Sequence, residues 1–346
     1  MARILYGVQG DARGHLNRSL TVADLLHGHE ILFVGAGVVA ETRDLGFAYE
    51  PLPMLGTQLR HGRVDVGATV AGWARALAGY SAWVGRLAGI IRAFDPALII
   101  TDYEFFTSRA ARKAGRPCVS LDHQHVLTRT RHEPPPGQRL NRIITETCIR
   151  VVSAPVSRHL ITSFHRPPVK DPGRDEIFGT LVRRDVLPLT PRMGDHAVVY
   201  IRGGNPDTLQ RVLGGRRREY RVYGFGVRPN QGNVRFRPTA RQAFLEDLAT
   251  AAYVLSNGGH GLLSEALHLG KPVFCVPTRL FYEQLWNGHH LHRLGYGQCH
   301  PSLDLPPGCL DRFEAGLDKF RTAIAAATLC GREALRLRLA ALLDAA

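Results

Sequence analysis

The stretch SNGGHGLLSEALHLGKPVFCVPTRLFYEQLWNGHHLHRL, from Ser256 to Leu294, decides the reading of this chain. Before it, the apolar run Tyr253-Val254-Leu255 reads as a buried strand that empties into Asn257-Gly258-Gly259-His260-Gly261. After it, Leu262, Leu263, Ala266, Leu267 and Leu269 recur at helical spacing. The pattern is strand, glycine loop, helix. Glycines there let backbone approach a phosphate, and the free amides and positive dipole end of the helix stabilise its charge. Ser264 and Glu265 fall one turn into the helix, where a carboxylate can accept hydrogen bonds from a ribose diol. The unit suits a nucleoside diphosphate.

Working outward, 346 residues exceed the usual size of a single core, so two domains are expected. With 45% apolar residues the composition is that of a globular protein. No apolar run approaches the ~20 residues of a membrane-spanning helix, and the N-terminus enters a strand pattern without a signal-peptide pattern. These features point to the cytoplasm. Six cysteines, at 118, 148, 275, 299, 309 and 330, form no CxxC pair, which argues against disulfides or a cysteine-zinc site. The 44 Lys and Arg against 30 Asp and Glu leave a formal charge of +14, which favours a polyanionic partner: a nucleoside diphosphate, an anionic lipid surface or nucleic acid. Because the excess is dispersed, with Arg216-Arg217-Arg218 its only run, a simply solvated basic surface is the competing reading.

Strand and helix patterns alternate along the chain. Ile4 to Val8 reads as a strand, followed by the turn Gly10-Asp11-Ala12-Arg13-Gly14-His15, a helix with Leu16, Leu20, Ala23 and Leu26 on one face, and a strand at Ile31 to Val34. Val70 to Phe94 is helical in pattern, and strands follow at Ala97 to Thr101 and Pro117 to Leu121. Apolar stretches at 151–154 and 160–163 complete the first half. Such alternation implies a doubly wound parallel α/β sheet. Between His165 and Arg192, prolines at 167, 168, 172, 188 and 191 interrupt the pattern and read as an interdomain connection. A second series starts at Ala197 to Ile201 and runs through Arg202-Gly203-Gly204-Asn205-Pro206, a helix to Leu213, strands at Tyr220 to Tyr223 and Val234 to Phe236, and a helix at Arg241 to Leu248. The expected organisation is one Rossmann-like domain over 1–165, a second over 166–330, and a last helix within 331–346 that packs back on either. Ligands of open parallel sheets bind outside the carboxyl ends of the strands, where both glycine turns fall, so the two domains are expected to face each other across the ligand.

These residues resemble the GT-B glycosyltransferases, in particular the enzyme that adds N-acetylglucosamine to the peptidoglycan lipid precursor and a little-described prokaryotic branch with a GxGxGHxxR-like start. Gly10 to His15 with Arg18 resembles that family's N-terminal loop, and Gly203-Gly204-Asn205 its first donor loop. Ser256 to Gly261 with Glu265, Gly270-Lys271-Pro272 and Val276-Pro277 resembles the main donor signature, and Glu283-Gln284 with Asn287 its sugar-contacting segment. The resemblance implies that Glu265 holds the ribose and that Asn257, Gly258, Gly259, His260 and Gly261 surround the diphosphate. It also implies that Gln284 and Glu283 bind the sugar and that the backbone around Phe236 edges the base. Gly14, Arg18, Asp122 and His123 are acceptor-side candidates. The implied reaction is sugar transfer from a UDP-sugar to a hydroxyl acceptor with inversion, N-acetylglucosamine being the candidate sugar. A lipid-linked or cell-envelope glycoconjugate is the candidate acceptor, reached by a peripheral enzyme at the inner face of the membrane.

His15, at the mouth of the first strand-turn-helix, is the candidate general base. Asp102, at the end of the strand Leu98 to Thr101, is the candidate carboxylate that orients it. Arg202 or His260, with the loop amides, would stabilise the leaving diphosphate. The chain contains no DxD motif, so no cofactor or metal is expected beyond the UDP-sugar substrate. His289, His290 and His292 read as a polar helix face, and Trp73, Tyr80 and Trp83 as core packing or a lipid-facing stripe. Two other functions share some of these features: a UDP-sugar 2-epimerase, which would turn over without an acceptor, and a basic nucleic-acid-binding protein, against which the dispersed arginines speak.

Overall fold

A computed structural model describes residues 1–56, 59–60, 63–153, 155–202, 204–226, 228–238 and 240–345, the side chains at 59, 60, 63, 64 and 66 excepted. The chain divides into two compact units: Met1–Gln58, Asp65–Arg183 and Cys330–Ala346 form the first, Leu59–Val64 and Arg184–Leu329 the second.

The strands up to residue 178 are β1 (Arg3–Val8), β2 (Glu30–Gly35), β3 (Ala48–Pro51), the short pair β4 (Leu59–Arg60) and β5 (Arg63–Val64), β6 (Leu98–Asp102), β7 (Val119–Asp122), β8 (Arg158–Thr162) and β9 (Asp175–Phe178). All but the β4–β5 ribbon join one parallel sheet in the order β3-β2-β1-β6-β7-β8-β9. Interleaved helices are α1 (Arg13–Leu25), α2 (Val66–Ala78), α3 (Tyr80–Phe94), α4 (Phe105–Lys113), α5 (Val126–Arg129) and α6 (Arg139–Val152). Because side chains alternate along a strand, β1 serves two cores. Leu5 joins Leu87, Ile91, Phe106 and Ala110 of α3 and α4. Ile4, Tyr6 and Val8 join Val22 and Ala23 of α1 on the other face. Gly7 lets α4 approach closely, since a Cβ there would stand 1.9 Å from the Thr107 hydroxyl.

Two features differ from expectation. The helical run predicted over Val70 to Phe94 is two helices meeting at Gly79 (φ −98°, ψ 19°), where the indole of Trp83 fills the space a side chain would need. The first of them starts early because the Asp65 carboxylate caps it, accepting from the Ala68 amide at 2.9 Å. The Pro-rich segment predicted as a connection also contains β9, which pairs with β8 from His159 to Thr162, while the passage from one unit to the other, at Arg183/Arg184, falls within that segment.

In the second unit, β10 (His196–Tyr200), β11 (Glu219–Tyr223), β12 (Val234–Phe236), β13 (Tyr253–Ser256), β14 (Val273–Cys275) and β15 (Gly297–Cys299) form a parallel sheet in the order β12-β11-β10-β13-β14-β15. Its helices are α7 (Pro206–Leu213), α8 (Arg241–Thr250), α9 (His260–His268), α10 (Tyr282–Arg293), α11 (Cys309–Ala315) and α12 (Leu317–Ala325). One face packs Val199, Val222, Leu255 and Phe274 against Leu209, Leu213, Leu310 and Phe313; Val198 and Tyr223 face Phe244 on the other. The last helix, α13 (Arg332–Asp344), belongs to the first unit, where Leu335 and Leu339 enter the core beside α1 and Arg332 bonds Asp24 at 2.6 Å. Among the described residues no helix is long and apolar enough to cross a membrane.

Candidate active site

In each sheet the strand order reverses direction at one point, between β1 and β6 in the first unit and between β10 and β13 in the second. Such switch points open a crevice at the carboxyl ends of the two strands, because the following loops diverge to opposite faces. His15, Arg18 and Asp102 gather at the first of them, and the loops carrying Arg202 and Asn257 meet at the second.

In the first unit, β1 runs into the loop that starts α1, and register pairs Val8 with Asp102, the last residue of β6. His15 therefore meets Asp102 although 87 positions separate them: Nδ1 lies 2.7 Å from Oδ1. The carboxylate is fully buried and the imidazole nearly so, with 12% of its side chain exposed. Arg18, one turn on, donates from Nε to Oδ2 at 2.7 Å and from a terminal nitrogen to Oδ1 at 2.5 Å. Ser19 adds a hydroxyl donor at 3.3 Å. Asp102 thus receives four donors, and the short contact to His15 puts the imidazole hydrogen on Nδ1, leaving Nε2 as a base. Burial disfavours the imidazolium, but the charge and hydrogen bond of Asp102 outweigh it and raise the pKa of His15 above its ordinary value, with Arg18 opposing.

Arg18, expected to contact an acceptor, is 9% exposed and commits its guanidinium to Asp102. Gly14 is exposed, with nothing near the position of a Cβ. Asp122 and His123, expected on the acceptor side, are 1% and 0% exposed. Asp122 accepts from Ser120 (2.6 Å), the His125 amide (2.9 Å) and His125 Nδ1 (2.7 Å), and lies well below the usual carboxylate range because the bonds and charge of His125 outweigh its burial. His123 Nδ1 donates to the Thr162 carbonyl at 2.8 Å.

Two participants, Tyr103 and His159, escaped sequence reading, while Gln124 belongs to the segment Asp122 to His125 that the sequence singles out at a strand end. Tyr103, held at φ +56°, lays its ring parallel to His15 with centroids 6.1 Å apart; its position directly after Asp102 was the available signal. Gln124 reaches Arg18 at 3.5 Å. His159 lies with its ring tilted 50° to that of His125, centroids 4.5 Å apart, and bonds Asp175 at 2.9 Å, and burial, then the nearby His125 and Arg129, push its pKa down to about 3, so it is neutral.

In the second unit, both candidate donor loops leave the switch point. The Arg202 amide donates to Asn257 Oδ1 at 2.6 Å, tying the loop after β10 to the loop after β13. Gly203 lies outside the described residues. Gly204 packs near Ile201 and Phe225, and Asn205 caps α7 by accepting from the Asp207 amide at 2.9 Å. Gly258 sits at φ +84° with its amide on Ser256 Oγ (3.1 Å) and its carbonyl on the buried Asn287 (2.9 Å). Gly259 and Gly261 instead have nothing within 4 Å of where a Cβ would stand. That open backbone lies at the start of α9, whose first turn carries no side-chain cap, so its amides and dipole are presented as an anion site.

His260 is the first residue of α9; Ser264 bonds back to its carbonyl at 2.8 Å, and Glu265 follows at 6% exposure. Gln284 accepts from the Thr278 amide at 2.8 Å, and Glu283 lies in the first turn of α10. The Phe236 ring is in the core against Phe225, which leaves the backbone of β12 as its only route to a ligand. Lys271, in the downstream motif, is buried and donates to the Arg192 carbonyl.

No curated protein sequence matches the chain. Among solved structures, the glycosyltransferase SnogD from Streptomyces nogalater aligns with TM-score 0.63 at 18% identity, covering 99% of each chain. CalG4, the calicheamicin glycosyltransferase, aligns with TM-score 0.65 at 17% identity over 99% of this chain and 98% of its own. LpCGTa, solved in complex with UDP, aligns with TM-score 0.66 at 16% identity over 99% of both. The fold is that of the GT-B glycosyltransferases. By sequence the glycosyl transferase family 1 matches residues 2–317, and the chain belongs to that family of nucleotide-sugar-dependent transferases.

Proposed function

We propose that the protein transfers a sugar from a UDP-sugar to a hydroxyl group with inversion. His15 Nε2 takes the acceptor proton as the hydroxyl oxygen attacks the anomeric carbon, and UDP departs from the opposite face. The observation that carries the reading is the His15–Asp102 contact at the first switch point, in a chain whose second switch point presents an uncapped helix start beside two open glycines. The amides of α9, with Arg202 or His260, would hold the diphosphate in place of a divalent ion, Glu265 the ribose, and Gln284 with Glu283 the sugar. N-acetylglucosamine is the first sugar to test, and a lipid-linked hydroxyl compound the first acceptor.

A thermal-shift series of nucleoside diphosphates and their sugars tests the donor half, since a ligand of the folded state raises the melting temperature by mass action. UDP compounds should raise it, and Glu265→Ala should abolish the rise. Stabilisation by dinucleotides alone would overturn the assignment. For turnover, UDP release should depend on added acceptor; acceptor-independent formation of a 2-epimer would replace transfer by epimerisation.

Arg18 then has a positioning role, fixing Asp102 and moderating its charge. Because only neutral His15 is a base, the rate rises with pH through its pKa. Arg18 lowers that pKa, so Arg18→Gln should move the acid limb of the rate profile to higher pH. Arg18→Lys keeps the charge but loses the two-pronged bond and should lower kcat with little movement of the limb. An unshifted limb in Arg18→Gln would remove Arg18 from the site.

A further inference from the structure

The outer face of α6 is apolar and uncovered. Leu140, Ile143, Ile144 and Val151 are 71%, 52%, 53% and 50% exposed, and their spacing puts them on one side of the helix with the exposed Thr147 between. Opposite them, Ile149 and Val152 are each 2% exposed and anchor the helix to its unit. The stripe spans about 16 Å at 1.5 Å per residue. Singly exposed apolar side chains are ordinary, but a continuous stripe signals a partner.

The charge around the stripe selects that partner. Along α6, Arg139, Arg142 and Arg150 stand against a single acid, Glu146, which Arg142 and Arg150 clasp at 2.5 and 2.8 Å. Lys170 lies among Glu146, Arg150, Arg142 and Arg129: burial lowers its pKa, Glu146 opposes this, and the three arginines add to it. A second copy of this chain, itself carrying +14, would oppose like charge to like. Apolar side chains that enter the acyl boundary beside arginines that meet phosphates fit an anionic lipid bilayer instead.

We infer that α6 lies in the plane of an anionic membrane, with Leu140, Ile143, Ile144 and Val151 inserted and Arg139 and Arg150 at the headgroups. Docking serves the lipid-linked acceptor reading above and rests on it for its purpose, but vesicle binding is read without turnover, so failure of either is seen separately. Full-length protein should sediment with phosphatidylcholine vesicles containing phosphatidylglycerol, weakly with phosphatidylcholine alone, and less as salt rises.

The double substitution Ile143→Glu with Ile144→Glu should weaken vesicle binding by about tenfold or more. It should leave the melting temperature unchanged, because both side chains are already in solvent. Leu337→Glu, at a 56% exposed leucine of α13, should bind as the parent does. Absence of binding to the anionic vesicles would overturn the inference. So would equal loss in both variants, or a parent dimer that the double variant dissociates, which would assign the face to self-association.

Discussion

Turnover of a His15→Ala variant should fall by about 100-fold or more, while the melting-temperature rise given by UDP stays as in the parent. The two readouts separate because His15 and the donor loops belong to different units. Each proton taken from the acceptor must go somewhere, and the imidazole is the group whose second nitrogen is already committed to a buried carboxylate, 2.7 Å away. Asp102→Asn should be nearly as damaging, since an amide can present its NH2 to Nδ1 and so move the imidazole hydrogen to Nε2, where it blocks the base. The parent profile should rise with pH on an acid limb above the ordinary histidine value of about 6.5, because Asp102 stabilises the imidazolium more than burial penalises it. Unchanged turnover in His15→Ala would leave the fold and family intact and remove this residue from the chemistry.

Much of this architecture was readable from the chain because parallel strands covered on both faces are apolar throughout, so β1, β6, β10 and β13 stand out as runs that end in loops. The loop Asn257 to Gly261 was readable for the same reason: an apolar run, glycines, then helical spacing. What the sequence hides is what two remote residues do to each other. Arg18 is three residues after His15, which puts both on one helix face, but nothing in that spacing says that the face looks at Asp102 and not at a substrate.

Likewise β9 is masked by the prolines around it, and its pairing with β8 is a property of the sheet edge. The stop at Gly79 is equally local. Flanking helical periodicity is strong on both sides, and only the packing of Trp83 against that glycine shows that two helices meet there. Asp122 and His123, attractive at a strand end, are consumed by Ser120, His125 and the Thr162 carbonyl, partners supplied largely by chain neighbours and β8.

Gly258→Ala should be strongly damaging to the second unit. At φ +84° an alanine carries a left-handed penalty of about 1–2 kcal/mol. Its Cβ would also stand 2.5 Å from Cys275 Sγ and 3.2 Å from the Gln284 carbonyl oxygen, an overpacking worth about 1–3 kcal/mol more. Neither neighbour has room to yield: Cys275 is a fully buried residue of β14, and the Gln284 carbonyl belongs to the backbone of α10. Together these lower the melting temperature of that unit by roughly 5–15 °C. Relief can come only by moving the loop, which would pull the Gly258 carbonyl from Asn287 and tilt the start of α9. UDP binding should therefore weaken even where the fold survives, in a way that Gly259→Ala, with open space at its Cβ position, separates. That second variant should keep the parent melting temperature and lose UDP affinity only through contact with the ligand. A Gly258→Ala protein that melts and binds UDP as the parent does would refute the tight seating of this loop.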